Sequence, residues 1–123
     1  MAPTSTQTLP RDTWTTYFNT LSRDLGTTVV TIEAVGKDIG DQLAADHLVL
    51  TGISYDHKDD IVVIGVDAPA GDPEEYEHTV ANPQTIMVAT GDPDGPPVVI
   101  DIQDAEGRHH IVSLEVAPEL PGA

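Results

Sequence analysis

Between Pro10 and Leu25 the apolar residues Trp14, Tyr17, Phe18, Leu21 and Leu25 recur at spacings of three and four, and no other segment keeps that period for so long. Such a stripe predicts one amphipathic helix over 10–25. Pro10 suits a first-turn position, Asp12 suits the positive N-terminal end, and Gly26 is a plausible stop. The only Trp and the only Phe of the chain lie on this stripe, so it is read as core and not as a ligand box. One short helix must therefore cover an apolar surface that the rest of the chain supplies.

That remainder reads as strands. Valine (13) and threonine (14) dominate the uncharged residues, and both are β-branched. Thr28–Val35 alternates, with Val30, Ile32 and Ala34 on one face. Residues 36–46 are expected as a loop with one helical turn around Gln42–Ala45, followed by a strand from His47 to Tyr55 with a bend at Gly52. Ile61–Val66, IVVIGV, is apolar on both faces and is expected at the centre of the sheet. Asp72, Pro73 and Glu75 have the pattern of a helix start, a short helix ended by Asn82–Pro83; the alternative is an edge strand through Thr79–Val80. Strands follow at Thr85–Thr90, Val98–Gln103 and Arg108–Val116. Val98, Ile100 and Ile102 are expected to face inward, as are His110, Val112, Leu114 and Val116.

The expected architecture is mainly β with an N-terminal helix (α+β). It is a small, partly open β-barrel or rolled antiparallel sheet of about six strands, capped by helix 10–25. The 123 residues suit one domain, 9–117, between a disordered tail at 1–8 and a loose tail at 118–123.

Charge restricts function. Twenty-one acids face five Lys plus Arg, a formal net charge of −16. Arg11, Arg23, Lys37, Lys58 and Arg108 are scattered along the chain, which argues against direct nucleic-acid binding and against an anionic membrane surface. No apolar run approaches membrane-spanning length. The acidity reads first as a solvated, salt-tolerant surface and second as a decoy for a basic protein. The chain contains no cysteine, which excludes disulfides, thiolate metal sites and cysteine nucleophiles. With no signal-peptide pattern at the N-terminus, a cytoplasmic location is expected.

SYDHKDD, residues 54–60, is the first candidate for chemistry. Tyr55, Asp56, His57 and Asp60 offer oxygen and imidazole groups in one loop, and His78 in EEYEHTV could join them at a barrel mouth. The competing reading is a polar hairpin tip, because aspartate caps turn backbone and Lys58 opposes a cation. GDPDG at 91–95 starts like a calcium loop, but Gln103 stands where the bidentate Glu belongs, so it reads as a turn. His109 and His110 point to opposite faces of a strand, His110 inward as a hydrogen-bonded core-edge residue. Asp101 and Glu33, in strands between apolar neighbours, are the acids to inspect for acid–base work. No phosphate-loop, dinucleotide, nucleophile-elbow or zincin motif occurs.

Two resemblances add to this. LVLTGISYDHKDDIVVIGVD resembles the strand–glycine–strand, aspartate turn and apolar strand of Sm-like and SH3-like small barrels, over about twenty residues and without their basic RNA pocket. The series PRDTWTTYFNTLS, LTGISYDHKDD, HTVANPQTIMV and DAEGR resembles, over nearly the whole chain, an uncharacterised prokaryotic family of small acidic proteins. That resemblance implies no activity and no catalytic residues. The expected function is a non-enzymatic binding or interaction domain, without a cofactor or metal, that self-associates through free strand edges. The alternatives are a small enzyme or metal- or ligand-binding protein working at Asp56, His57 and His78, and an acidic decoy for a basic protein.

Overall fold

A computed structural model of the chain describes residues 5–24, 27–37, 40–67, 75–91 and 97–116. The element order is β1 (Ser5–Thr8), a 3-10 turn (Arg11–Thr13), α1 (Trp14–Asp24), β2 (Thr28–Gly36), β3 (Gly40–Asp56), β4 (Ile61–Asp67), β5 (Glu75–Ala81), β6 (Pro83–Thr90), β7 (Pro97–Asp104) and β8 (His109–Val116). All pairings are antiparallel, in the order β1-β6-β7-β8-β2-β3-β4-β5. The protein is thus mainly β with one short helix, and its sheet is not closed: β1 and β5 are edges.

The helix forms as its stripe dictates. Trp14, Phe18 and Leu21 are buried, and the indole N–H of Trp14 donates to the Leu9 carbonyl at 3.1 Å. Ser22 ties α1 to β3 twice: its hydroxyl donates to the Ile53 carbonyl (2.7 Å) and accepts the Ile53 N–H (3.0 Å). The helix therefore seals one side of a continuous core built from Val30, Ile32, Ile53, Val62, Ile64, Val80, Ile86, Val88, Ile100, Ile102 and Val112.

Among the described residues, eight strands replace the expected six or so. The additions are β1, taken from the expected tail, and β5, taken from the expected short helix. In β5 the period is two: Val80 is buried while Glu77 and Thr79 are exposed, so the edge-strand alternative holds there. The Asp72–Pro73 helix start lies outside the described residues, as do Leu25, Gly26, most of the GDPDG turn and the C-terminal tail at 118–123.

Residues 40–46, expected as loop and helical turn, begin a seventeen-residue strand instead. The turn closes through Gly36↔Gly40, where Gly40 takes φ 68°, and β2 then pairs with Asp41, Gln42, Leu43 and Ala45 despite their weak strand propensity, with a first bulge at Ala44. A second bulge follows: Asp46 and His47 stand against Thr31, His47 takes φ 52°, and its N–H donates to the Thr31 hydroxyl. A third bulge puts Thr51 out of register between Leu50↔Val66 and Gly52↔Gly65. A Cβ at Gly65 would lie 2.5 Å from the Thr51 hydroxyl, so any larger residue there would force the Thr51 side chain to move.

Two facing assignments also change. β4 is not central; it is next to the β5 edge, and Ile61 and Val63 on its outer side are half-buried. Val98 is 38% exposed, because a bulge at Thr90↔Pro97 turns it outward, while Ile100 and Ile102 face the core as expected. His110, Val112 and Leu114 share the inner face; the Val116 side chain lies outside the described residues.

Candidate functional site

SYDHKDD is the hairpin tip joining β3 to β4. Asp56 caps it: its Oδ1 accepts the backbone N–H groups of Lys58 (2.9 Å) and Asp59 (3.4 Å). His57, Lys58 and Asp59 are exposed. Asp60 takes φ 54° and its carbonyl accepts the Asn82 N–H at 2.9 Å, which docks the tip against the β5–β6 turn.

Tyr55 and Asp60 belong to a structural network. The Tyr55 hydroxyl donates to Asp60 Oδ1 at 2.7 Å; Arg11 donates to the same carboxylate (3.2 Å), to the tyrosine oxygen (3.3 Å) and to the Pro83 carbonyl (2.8 Å). Arg11 also lies 4.4 Å above the Trp14 ring, and Tyr55 meets Trp14 edge to face at 5.1 Å. The Tyr55 hydroxyl holds the Asp60 carboxyl below its ordinary range, against the opposing effect of burial and with help from Arg11. Burial first, and then Asp60, pushes the Tyr55 phenol up. The network pins the N-terminal segment, the tip and the start of β6 together.

His78 does not join the tip. It stands opposite Ile64, three ladder positions from the Ile61↔Ala81 pair, or about 10 Å along the strand. Its Nε2 instead lies 2.9 Å from Nδ1 of His110, and His110 Nε2 lies 2.9 Å from Asp104 Oδ2. Asp104 and His110 are buried. The other Asp104 oxygen accepts the amides of Glu106 (2.9 Å) and Arg108 (3.0 Å), in a turn where Gly107 takes φ 83°. Burial works to raise the Asp104 carboxyl, but the hydrogen bonds from His110, Arg108 and Glu106 outweigh it and hold the group low. His78 is pushed down by burial and then by His110.

Among the described residues, this chain of three groups contains two of the three buried polar or charged side chains, Asp104 and His110, the third being Thr28. A cavity of about 290 Å³ on one side of it is lined by Ile32, Ala44, Ala45, Val66, Glu77 and His78. A second, of about 290 Å³, includes Thr79, Asn82, Asp104, Arg108 and His110. Among the described residues, no three His, Asp or Glu side chains are placed to hold a metal ion. Sequence reasoning put His110 inward and named His78, but it missed Asp104. The signal was present: Asp104 shares the inward face of β7 with Ile100 and Ile102.

The other acids singled out lie on the outer sheet face. Asp101 pairs with His109 Nδ1 at 3.0 Å and is half-exposed, as is Glu33, which stands opposite Ile111 and Leu43. Neither sits in an apolar cleft.

The model of a family of unknown function (DUF5335) matches residues 5–123. The chain belongs to that family. An uncharacterized protein of Aquifex aeolicus (strain VF5) is 34% identical over 117 residues, covering 95% of this chain and 98% of that protein. No solved structure matches the chain. DUF5335 membership accords with the resemblance to an uncharacterised prokaryotic family, and it assigns no chemistry. Among the described residues no helix is long and apolar enough to cross a membrane.

Proposed function

We propose that this DUF5335 protein is a non-enzymatic interaction domain that self-associates through the β1 edge. One observation carries this reading: β1 (STQT) and its neighbour β6 (PQTIMVAT) contain no charged residue, in a chain with a formal net charge of −16. Two copies of an acidic chain repel least where acids are absent, and this pair of strands forms one of the two ends of the sheet. Thr6, Gln7 and Thr8 are exposed, and Met87 beside them on β6 is 37% exposed.

The ladder supports the reading further. Leu9 N–H donates to the Ile86 carbonyl, so Ser5, Gln7 and Leu9 direct their backbone groups toward β6. Thr6 and Thr8 direct theirs away, as an unpaired template for an antiparallel strand from a second copy. No lysine, proline or bulge within β1 blocks that pairing.

Thr6→Pro tests it. Proline removes an outward N–H and leaves the bonds to β6 in place. The expected result is a parent that sediments above monomer mass and a variant of unchanged fold that sediments as a monomer. Both sedimenting alike would refute the edge reading.

A further inference from the structure

β5 is held from two sides. Its ladder to β4 runs from Asp67↔Glu75 to Ile61↔Ala81. Across the roll, His78 reaches His110 on β8, a strand four places away in the sheet order. That second attachment is polar, and its protons can be counted.

Asp104 Oδ1 is occupied by two backbone amides, and Oδ2 faces His110 Nε2. A carboxylate only accepts, so His110 carries its proton on Nε2 and leaves Nδ1 as a lone pair. His78 must then donate from Nε2. In this state each hydrogen bond holds one proton. A first added proton enters at His78 Nδ1 while the shared proton shifts to His110. The imidazolium then sits between Asp104 and a neutral His78, and the chain remains joined. A second proton puts N–H groups on both facing nitrogens, which are 2.9 Å apart. No hydrogen bond is possible in that state, and two positive rings oppose each other.

We propose that Asp104, His110 and His78 form an acid-opened latch on β5, which absorbs one proton without change and releases the strand from β8 on taking the second. The charged groups around it fit this behaviour. Asp104 comes from β7, His110 from β8, and Arg108 and Glu106 from the turn between them, where they pair with each other at 3.0 Å. Glu77 lines the His78 cavity from the next position on β5 and is exposed. β2, β3 and β4 contribute Ile32, Ala44, Ala45 and Val66, none of them charged. Among the described residues, one buried carboxylate can balance one imidazolium, and the second has no buried counter-charge. The depression of His78 by burial and by His110 agrees with this. The neutral form of His78 is the one the fold favours, so the contribution of His78 is complete above the ordinary histidine range and declines as pH falls through it.

The test is nitrogen-detected NMR of both rings, together with amide exchange measured as protection relative to the intrinsic rate at each pH. At neutral pH His110 should carry its proton on Nε2 with Nδ1 bare. On acidification the rings should titrate in two steps. At the second step β5 amides should lose up to about tenfold protection per pH unit, as one linked proton requires, while β6 and β7 amides keep theirs. His78→Gln donates to His110 without titrating, so its β5 protection should stay flat over the same range. Opening of His78→Gln at the parent's pH, or parent protection that does not fall, would overturn the latch. Should that variant not fold, the parent's tautomers still decide: a neutral His110 protonated on Nδ1 contradicts the proton count.

Discussion

The two edges of the sheet are built to opposite rules. The β1 edge has no charged residue on its outer two strands; β1 is joined to β6 by a backbone ladder, and the Arg11 network anchors the segment that follows it. The β5 edge carries Glu75 and Glu77, lies beside Asp67, and is held both by a ladder and by the His78–His110–Asp104 chain. Acids along an edge repel another copy of an acidic protein, which is a common way to protect exposed strands. On the proposed reading, the placement of the uncharged strands β1 and β6, more than apolar area, decides where a second copy would add.

The largest effect should come from removing what both edges share. Phe18 is fully buried under the sheet, and Phe18→Ala should lower stability by about 3–5 kcal/mol. The measurement is the denaturation midpoint, and an unchanged value would show that the helix is not part of the folding unit. Acidification should then separate the two edges. His78 is depressed, so stability should first decline as pH falls below the ordinary histidine value of 6.5, with β5 opening ahead of β1. Asp60 and Asp104 are also held low; their contributions are complete above the ordinary carboxyl value of 3.8 and are lost below it. Simultaneous exposure of both edges in amide exchange at mildly acid pH would erase the distinction.

Smaller perturbations sharpen the comparison at the hairpin tip. Tyr55→Phe removes the hydrogen bonds its hydroxyl makes with Asp60 and with Arg11 and leaves the Arg11–Asp60 pair in place, so the expected cost is about 1–3 kcal/mol by chemical denaturation. Replacing His57 and Lys58 with Asn and Gly should change stability by no more than about 0.5 kcal/mol, because both side chains are exposed and Asp56 still caps the turn. Loss of a saturable divalent-ion titration in that variant, seen by calorimetry, would return the tip to consideration as a site.

Much of the fold was legible in the sequence. The helix stripe, the alternation of β2 and the SYDHKDD turn could be read because each is a local pattern. What escaped was set by partners distant in sequence. Asp41, Gln42, Leu43 and Ala45 have poor strand propensity and become strand because β2 pairs with them. Ser5–Thr8 look like a tail until β6, more than eighty residues on, supplies a ladder. The candidate site was half legible. His78 and His110 stood out as residue types, but only the rolling of β5 over β8 brings them together, and Asp104 looked like one turn aspartate among fourteen.

The most direct test of the central claim is sedimentation equilibrium of the parent protein at low and at molar potassium chloride, beside Thr6→Pro. Association through an uncharged edge of a −16 chain is opposed by repulsion between whole molecules, so salt should strengthen it. The account predicts a parent that self-associates more tightly in high salt and a Thr6→Pro variant that stays monomeric at both. A parent that is monomeric throughout, or an association that weakens with salt and ignores Thr6→Pro, contradicts it.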